Sequence, residues 1–130
     1  MSEKTKLQHV ALQYSDSEKA DIFFTKILGL ELQKEFSLSE DLSNEIFQIK
    51  ERVDIRIYGN EYVKFEIFIS QKPKNIGFDH ICIEMQDQEK FIGRCKKFDI
   101  KPIFVKKGEK TLLFVKDFSN NLFEIKEKQN

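Results

Sequence analysis

Over residues 7–14 apolar and polar side chains alternate. Val10, Leu12 and Tyr14 share one face and His9, Ala11 and Gln13 the other, the period-two signature of a strand. Ser15-Asp16-Ser17 then offers a helix N-cap with Glu18 in the first turn. Ile22, Phe23, Ile27 and Leu28 form a helical stripe that Gly29 ends. Residues 30–36 read as a second strand. Residues 38–49 carry Leu38, Leu42, Ile46 and Ile49 at helical spacing, which predicts a short helix. Residues 53–58 and 61–70 form a strand pair about the Gly59-Asn60 turn. Residues 71–77, with Pro73 and Gly77 and no periodicity, are a linker. The pattern then restarts: strand 78–85, helix 88–98, strand 101–106, a charged turn, strand 111–116, the turn 117–121 and strand 122–127.

The second run repeats the first in sequence as well as in pattern. His9-Val10-Ala11-Leu12 through Lys19 aligns with His80-Ile81-Cys82-Ile83 through Lys90 at a constant offset of 71, with His, Asp, Glu and Lys identical. Each half also ends on one tripeptide, Phe65-Glu66-Ile67 and Phe123-Glu124-Ile125. Each half is therefore β-α-β-β-β, the first enlarged by about a dozen residues near 38–49. One such unit leaves a sheet face bare and is too small to fold comfortably alone. The expected fold is α+β: one domain, 1–130, of module 7–70 and module 78–127 joined by linker 71–77. The two modules would form a curved eight-stranded mixed sheet around a cleft.

The length suits one domain, and 40% hydrophobic content with 13 phenylalanines suits a packed core. The 22 basic and 22 acidic residues cancel and are interspersed, which argues against nucleic acid and against an anionic membrane surface as partners. No apolar run approaches the ~20 residues of a membrane span, and residues 1–6 lack a signal peptide's apolar core. Cys82 and Cys95 form no CxxC motif and read as free thiols of a cytoplasmic protein.

Strand parity singles out four residues. Val10, Leu12 and Tyr14 should cover the helix, so His9 faces the other way, into the cleft; Ile81, Ile83 and Met85 do the same for His80. Phe65, Ile67 and Ile69 flank Glu66, and Phe123 and Ile125 flank Glu124, so both carboxylates also turn inward. His9 and His80 are the protein's two histidines. Two imidazoles and two carboxylates suit Zn, Ni, Mn, Co or Fe(II), with positions left open for substrate. Singly, an inward His or Glu is more often a core or cleft-mouth residue; duplication and parity together make the set a metal site. Gln13, Cys82, Phe68 and Leu122 share the inward face as candidate pocket walls, with plain packing the better reading for Cys82. Arg56 reads as a surface ion pair on the polar side of its strand.

These residues resemble the glyoxalase / bleomycin resistance / extradiol dioxygenase superfamily, the vicinal oxygen chelate family. The resemblance runs from Leu7 to Glu127 through the opening Leu7-Gln8-His9-Val10-Ala11-Leu12 and the helix end Phe23-Phe24-Thr25-Lys26-Ile27-Leu28-Gly29-Leu30. It continues through Gly77-Phe78-Asp79-His80-Ile81 and the closing Asp117-Phe118-Ser119-Asn120-Asn121-Leu122-Phe123-Glu124-Ile125, where Asn120 stands in a turn that often needs a left-handed residue. It implies a divalent metal held by His9, Glu66, His80 and Glu124, a small-molecule substrate with vicinal oxygens and commonly a homodimer. The full ligand set looks most like lactoylglutathione lyase and methylmalonyl-CoA epimerase. The implied chemistry is a lyase or isomerase proton transfer with Glu124 or Glu66 as the base. An Fe(II) extradiol-type dioxygenase, or a metal-free binding or resistance protein, is the alternative. Glutathione-using relatives carry Arg and Asn where this chain has Gln13 and Ser70, and the epimerases have a longer linker. The resemblance thus extends to fold and ligand set rather than to either of those substrates.

Overall fold

The computed structural model describes residues 7–74 and 77–128. Residues 1–6, including the stretch read above for a signal peptide, and residues 75 and 76 of the linker lie outside the described residues. The eight strands divide by hydrogen bonding into two four-stranded sheets rather than one continuous sheet. β1 (Val10–Tyr14), β2 (Glu31–Leu38), β3 (Val53–Gly59) and β4 (Lys64–Ile69) make the first sheet, in the order β1-β4-β3-β2. β5 (Ile81–Met85), β6 (Ile103–Lys107), β7 (Lys110–Lys116) and β8 (Leu122–Glu127) make the second, in the equivalent order β5-β8-β7-β6. In each sheet the first and last strands pair in parallel and the others antiparallel.

The repeated residues do the same local work twice. The Asp16 carboxylate accepts from the amides of Glu18 (2.9 Å) and Lys19 (3.2 Å) and caps α1 (Ser17–Asp21). Its repeat Asp87 accepts from Lys90 N–H (3.0 Å) and caps α3 (Gln88–Lys97). The extra residues of the first module fold as α2 (Glu40–Phe47), capped by Ser39. Asp117 pins the turn before β8 by accepting from Ser119 N–H, Asn121 N–H and Asn121 Nδ2 at 2.8–2.9 Å, and Asn120 there adopts φ 63° as its residue type allows.

The first helix departs from the expected α-helix. Beyond Asp21 it widens into a π-helical stretch, Ile22–Ile27, closed by Leu28 N–H to the Phe23 carbonyl (2.9 Å) and by Gly29 at φ 76°. Phe23 and Phe24 are consecutive, and both are wholly buried. Phe24 stacks on Tyr58 (5.1 Å) and meets Phe65 (5.3 Å) of the first sheet. Phe23 meets Phe123 (5.2 Å) and Phe118 (6.4 Å) of the second module. Phe65 and Phe123 also meet, at 6.1 Å, and Arg94 of α3 donates to the Ile27 carbonyl at 3.0 Å. One apolar cluster thus takes in the helix-facing sides of both sheets, with Phe91, Cys95, Leu113, Val115 and Ile125 from the second module.

Arg56 does form an ion pair, though on the helix-covered face of β3 and not on its polar side. It is in register with buried Ile67 and reaches Asp21 (2.6 Å) at the end of α1 and Glu35 (2.9 Å) on β2. Tyr58 also donates to Asp21, so the edge of this helix-sheet layer is closed by a hydrogen-bonded cluster.

Because Phe23 joins the two modules, truncating it should unfold them together. Phe23→Ala is expected to cost about 3–5 kcal/mol and to leave a single cooperative transition, measured by urea denaturation followed by far-UV circular dichroism. Two separated transitions would show that the modules do not share one core.

Candidate metal half-sites and an adjoining cavity

The strands carrying the candidate ligands are parallel neighbours in both sheets. Ala11 of β1 lies opposite Glu66 of β4, and Cys82 of β5 lies opposite Glu124 of β8. Phe65, Ile67, Phe123 and Ile125 are buried in the core, so parity turns Glu66 and Glu124 to the other sheet face. His9 and His80 each stand one residue ahead of the first strand of their module. His9 Nε2 is 3.6 Å from Glu66 Oε2, and His80 Nε2 is 4.0 Å from Glu124 Oε1. The imidazoles are 42% and 46% exposed and the carboxylates 20% and 17%, so in each pair a solvent-accessible ring stands beside a more shielded acid. His80 Nδ1 lies 3.0 Å from the Phe78 carbonyl. A proton on Nδ1 would satisfy that contact and leave the Nε2 lone pair available on the Glu124 side.

The four residues therefore form two equivalent pairs. They are not gathered at one point of a single chain: among the described residues, no three His, Cys, Asp or Glu side chains come together as a metal site. The reason lies in the core. Both sheets commit their apolar faces to the same cluster, so their open faces, with the two His–Glu pairs, are turned away from it. The donor types and spacing suit a divalent cation, but each pair supplies half of a first coordination shell.

Cys82 shares the open face with Glu124 and is exposed; desolvation first, then the Glu124 charge, push its thiol up. Burial pushes the Cys95 thiol up to about 11. Neither is an activated nucleophile at neutral pH.

The first module also contains a cavity of about 210 Å³ between its open sheet face and α2, lined by Ala11, Gln13, Phe47, Phe68 and Ser70 among others. Phe68 and Gln13 are the wall residues that parity singled out. Leu122 lies on the open face of the second sheet, outside this cavity. The covering helix with its residues Ser43 and Phe47, and Ile49 and Glu51 just past it, went unread as a site in the sequence. The signal was present in β3, where Val53 and Ile55 are buried on one face and Tyr58 on the other. A strand with bulky residues at both parities needs a cover on both sides. Phe47 supplies the contact, meeting Phe68 edge-on at 5.3 Å.

Among the described residues, no helix is long and apolar enough to cross a membrane. No family model matches the chain. No curated protein matches it either. Solved structures do. The glyoxalase family protein from Enterococcus faecalis superposes with a TM-score of 0.72 at 20% identity, over 94% of this chain and 97% of that one. The fosfomycin resistance protein FosX from Mesorhizobium loti gives 0.70 at 13% identity, over 98% and 94%. A mutant of FosX from Listeria monocytogenes, complexed with Mn(II) and 1S,2S-dihydroxypropylphosphonic acid, gives 0.72 at 17% identity, over 98% and 95%. The tandem β-α-β-β-β fold of this chain is thus the fold of these FosX and glyoxalase-family structures.

Since Phe47 is the main aromatic anchor of α2, Phe47→Ala should loosen the helix selectively. Amide exchange by mass spectrometry is expected to accelerate over residues 40–47 while β1, β4 and β8 keep their protection. Uniform acceleration across the sheets would contradict a locally docked helix.

Proposed function

We propose that the protein is a divalent-metal enzyme of the glyoxalase type. It would act by proton transfer on a small substrate whose vicinal oxygens bind the metal. The observation that carries this reading is the pair of equivalent His–Glu half-sites, His9 with Glu66 and His80 with Glu124, each facing outward and each incomplete. A second copy completes them: His9 and Glu66 of one chain meet His80 and Glu124 of another, and a two-fold axis makes two such sites per homodimer. Exposed apolar side chains on both modules support this pairing: Leu42, Ile46, Phe47 and Ile49 on and after α2, and Ile103 and Val105 on β6. The neighbour that holds Mn(II) with a vicinal diol supports the metal and the substrate type. The free thiols Cys82 and Cys95 support a reducing, cytoplasmic setting.

The residues divide the work by their chemistry. A bound divalent ion would supply Lewis-acid stabilisation of developing negative charge. His9 and His80 would serve as its nitrogen ligands, His80 held by its Phe78 contact. Glu124, the less exposed of the two carboxylates, takes the proton beside the substrate carbonyl and returns it to the neighbouring carbon, with Glu66 as the second acidic ligand.

Metal content and its recovery in mixed dimers test this reading. The purified protein should hold about one Zn, Ni, Mn, Co or Fe per chain by elemental mass spectrometry, since a two-fold dimer has as many sites as chains. His9→Ala and His80→Ala should each lose it. Unfolded together and refolded, the two variants should recover about one quarter of the wild-type content, because half the dimers are mixed and each mixed dimer keeps one intact site. No recovery would overturn the shared site, and no metal in the wild type after reconstitution would overturn the enzyme reading. Glu124→Gln should keep the dimer and lower turnover about 100-fold or more, read with the substrate found by screening.

A further inference from the structure

We infer that the cavity under α2 admits a ring-sized apolar group ending in a hydrogen-bond donor, an ammonium above all, and rejects an anionic end. As a statement about the substrate this rests on the metal site proposed above, because the cavity continues the same open face. Ala11 lies two residues beyond His9 on β1 and Phe68 two beyond Glu66 on β4, so the cavity begins about 7 Å along the strands from the His9–Glu66 pair. A cavity of about 150 Å³ lined by apolar side chains takes one benzene-sized ring, and the space here is about 210 Å³. Ala11, Phe47, Ile49, Val53 and Phe68 give it apolar walls.

The charge at its far end is set by Glu51. No lysine or arginine lines the cavity. The cations that flank Glu51 in sequence are engaged elsewhere, Lys50 with Glu40 (3.9 Å) and Arg52 with Asp54 (3.1 Å). Among the described residues, none places a cation within ion-pair distance of Glu51. Two of the neutral polar groups in the lining, Ser70 and Gln13, are already engaged. The Ser70 hydroxyl donates to Glu51 Oε2 (2.8 Å) while its oxygen accepts from Lys72 N–H (3.2 Å). Gln13 Nε2 donates to the Lys72 carbonyl (2.5 Å). A carboxylate with one spare oxygen at the end of an apolar cavity binds a donor or a cation; a second carboxylate or phosphonate there would meet repulsion from Glu51, with only the Ser43 hydroxyl and the second Gln13 amide hydrogen to offset it.

The test uses the full-length, metal-free protein and three probes of one shape: benzylamine, benzyl alcohol and benzoate, titrated by ¹H–¹⁵N correlation spectra. Benzylamine should bind about tenfold or more tighter than benzoate, with benzyl alcohol between them, and the shifts should centre on Ala11, Ser43 and Phe68. Glu51→Gln, which retains an acceptor for Ser70, should shrink the amine preference below about threefold while leaving benzyl alcohol binding unchanged. Ala11→Leu should weaken all three by filling the space. Benzoate binding as tightly as benzylamine, an unchanged preference in Glu51→Gln, or no saturable shifts at these residues with benzylamine would each overturn the inference. Metal content measured on the same preparation keeps the two ideas apart. Metal uptake without an amine preference overturns this inference alone, and an amine preference without metal overturns the functional reading alone.

Discussion

Two adjacent phenylalanines face different modules, and the rest of the architecture follows from how that is achieved. Phe24 packs on Tyr58 and Phe65 of the first sheet while Phe23 packs on Phe123 of the second. Neighbouring side chains on a helix diverge by about 100°, enough for one helix to serve two sheets when it lies between them. Burying two aromatic rings removes a few hundred Å² of apolar surface from water, a large share of the core's driving force. Once both sheets have committed their apolar faces to that cluster, strand parity leaves the alternate positions on the outside. Glu66 and Glu124 are outside for the same reason that Phe65 and Phe123 are inside.

The same parity made most of the molecule legible in the sequence. The duplicated His-to-Lys segment located β1 and β5 and both helix caps, and the Phe-Glu-Ile tripeptides located β4 and β8, because a strand of five or six residues and a helix cap are decided by local alternation and short-range hydrogen bonds. Which sheet lies beside which is decided by long-range packing that no local pattern encodes. Parity therefore turned Glu66 and Glu124 away from the core, as their strand neighbours require, but could not say that the two faces belong to separate sheets. The π-helical turn at Ile22–Ile27 was hidden for a similar reason: its apolar stripe has the spacing of an ordinary α-helix, and nothing local marks the widening. Arg56 was misplaced because β3 alternates imperfectly, with an ionic cluster at its helix-covered edge where an apolar residue was expected.

The cavity shows how an insertion acquires a role. In the second module the outer sheet face is bare beside Glu124, and β6 is exposed along its whole length. In the first module about a dozen added residues fold back as α2 over the equivalent face, bury Val53 and Ile55, and enclose a space next to Glu66. The polar end of that space is defined by Glu51 and Ser70, which sit just past the helix and just past β4. Placing functional side chains at strand and helix ends on a rigid sheet is the ordinary division between scaffold and site.

The helix on one module and not the other has a stereochemical consequence. Two identical half-sites related by a dyad would show the same wall to either end of a bound molecule, and a proton could be delivered to either face. With α2 standing over the first module's open face only, the two ends of a substrate bound as proposed above would meet different surfaces, and the molecule could settle in one orientation. On the reading proposed above, Glu124 would then return its proton from one side only, which is the geometric requirement for making one enantiomer rather than two.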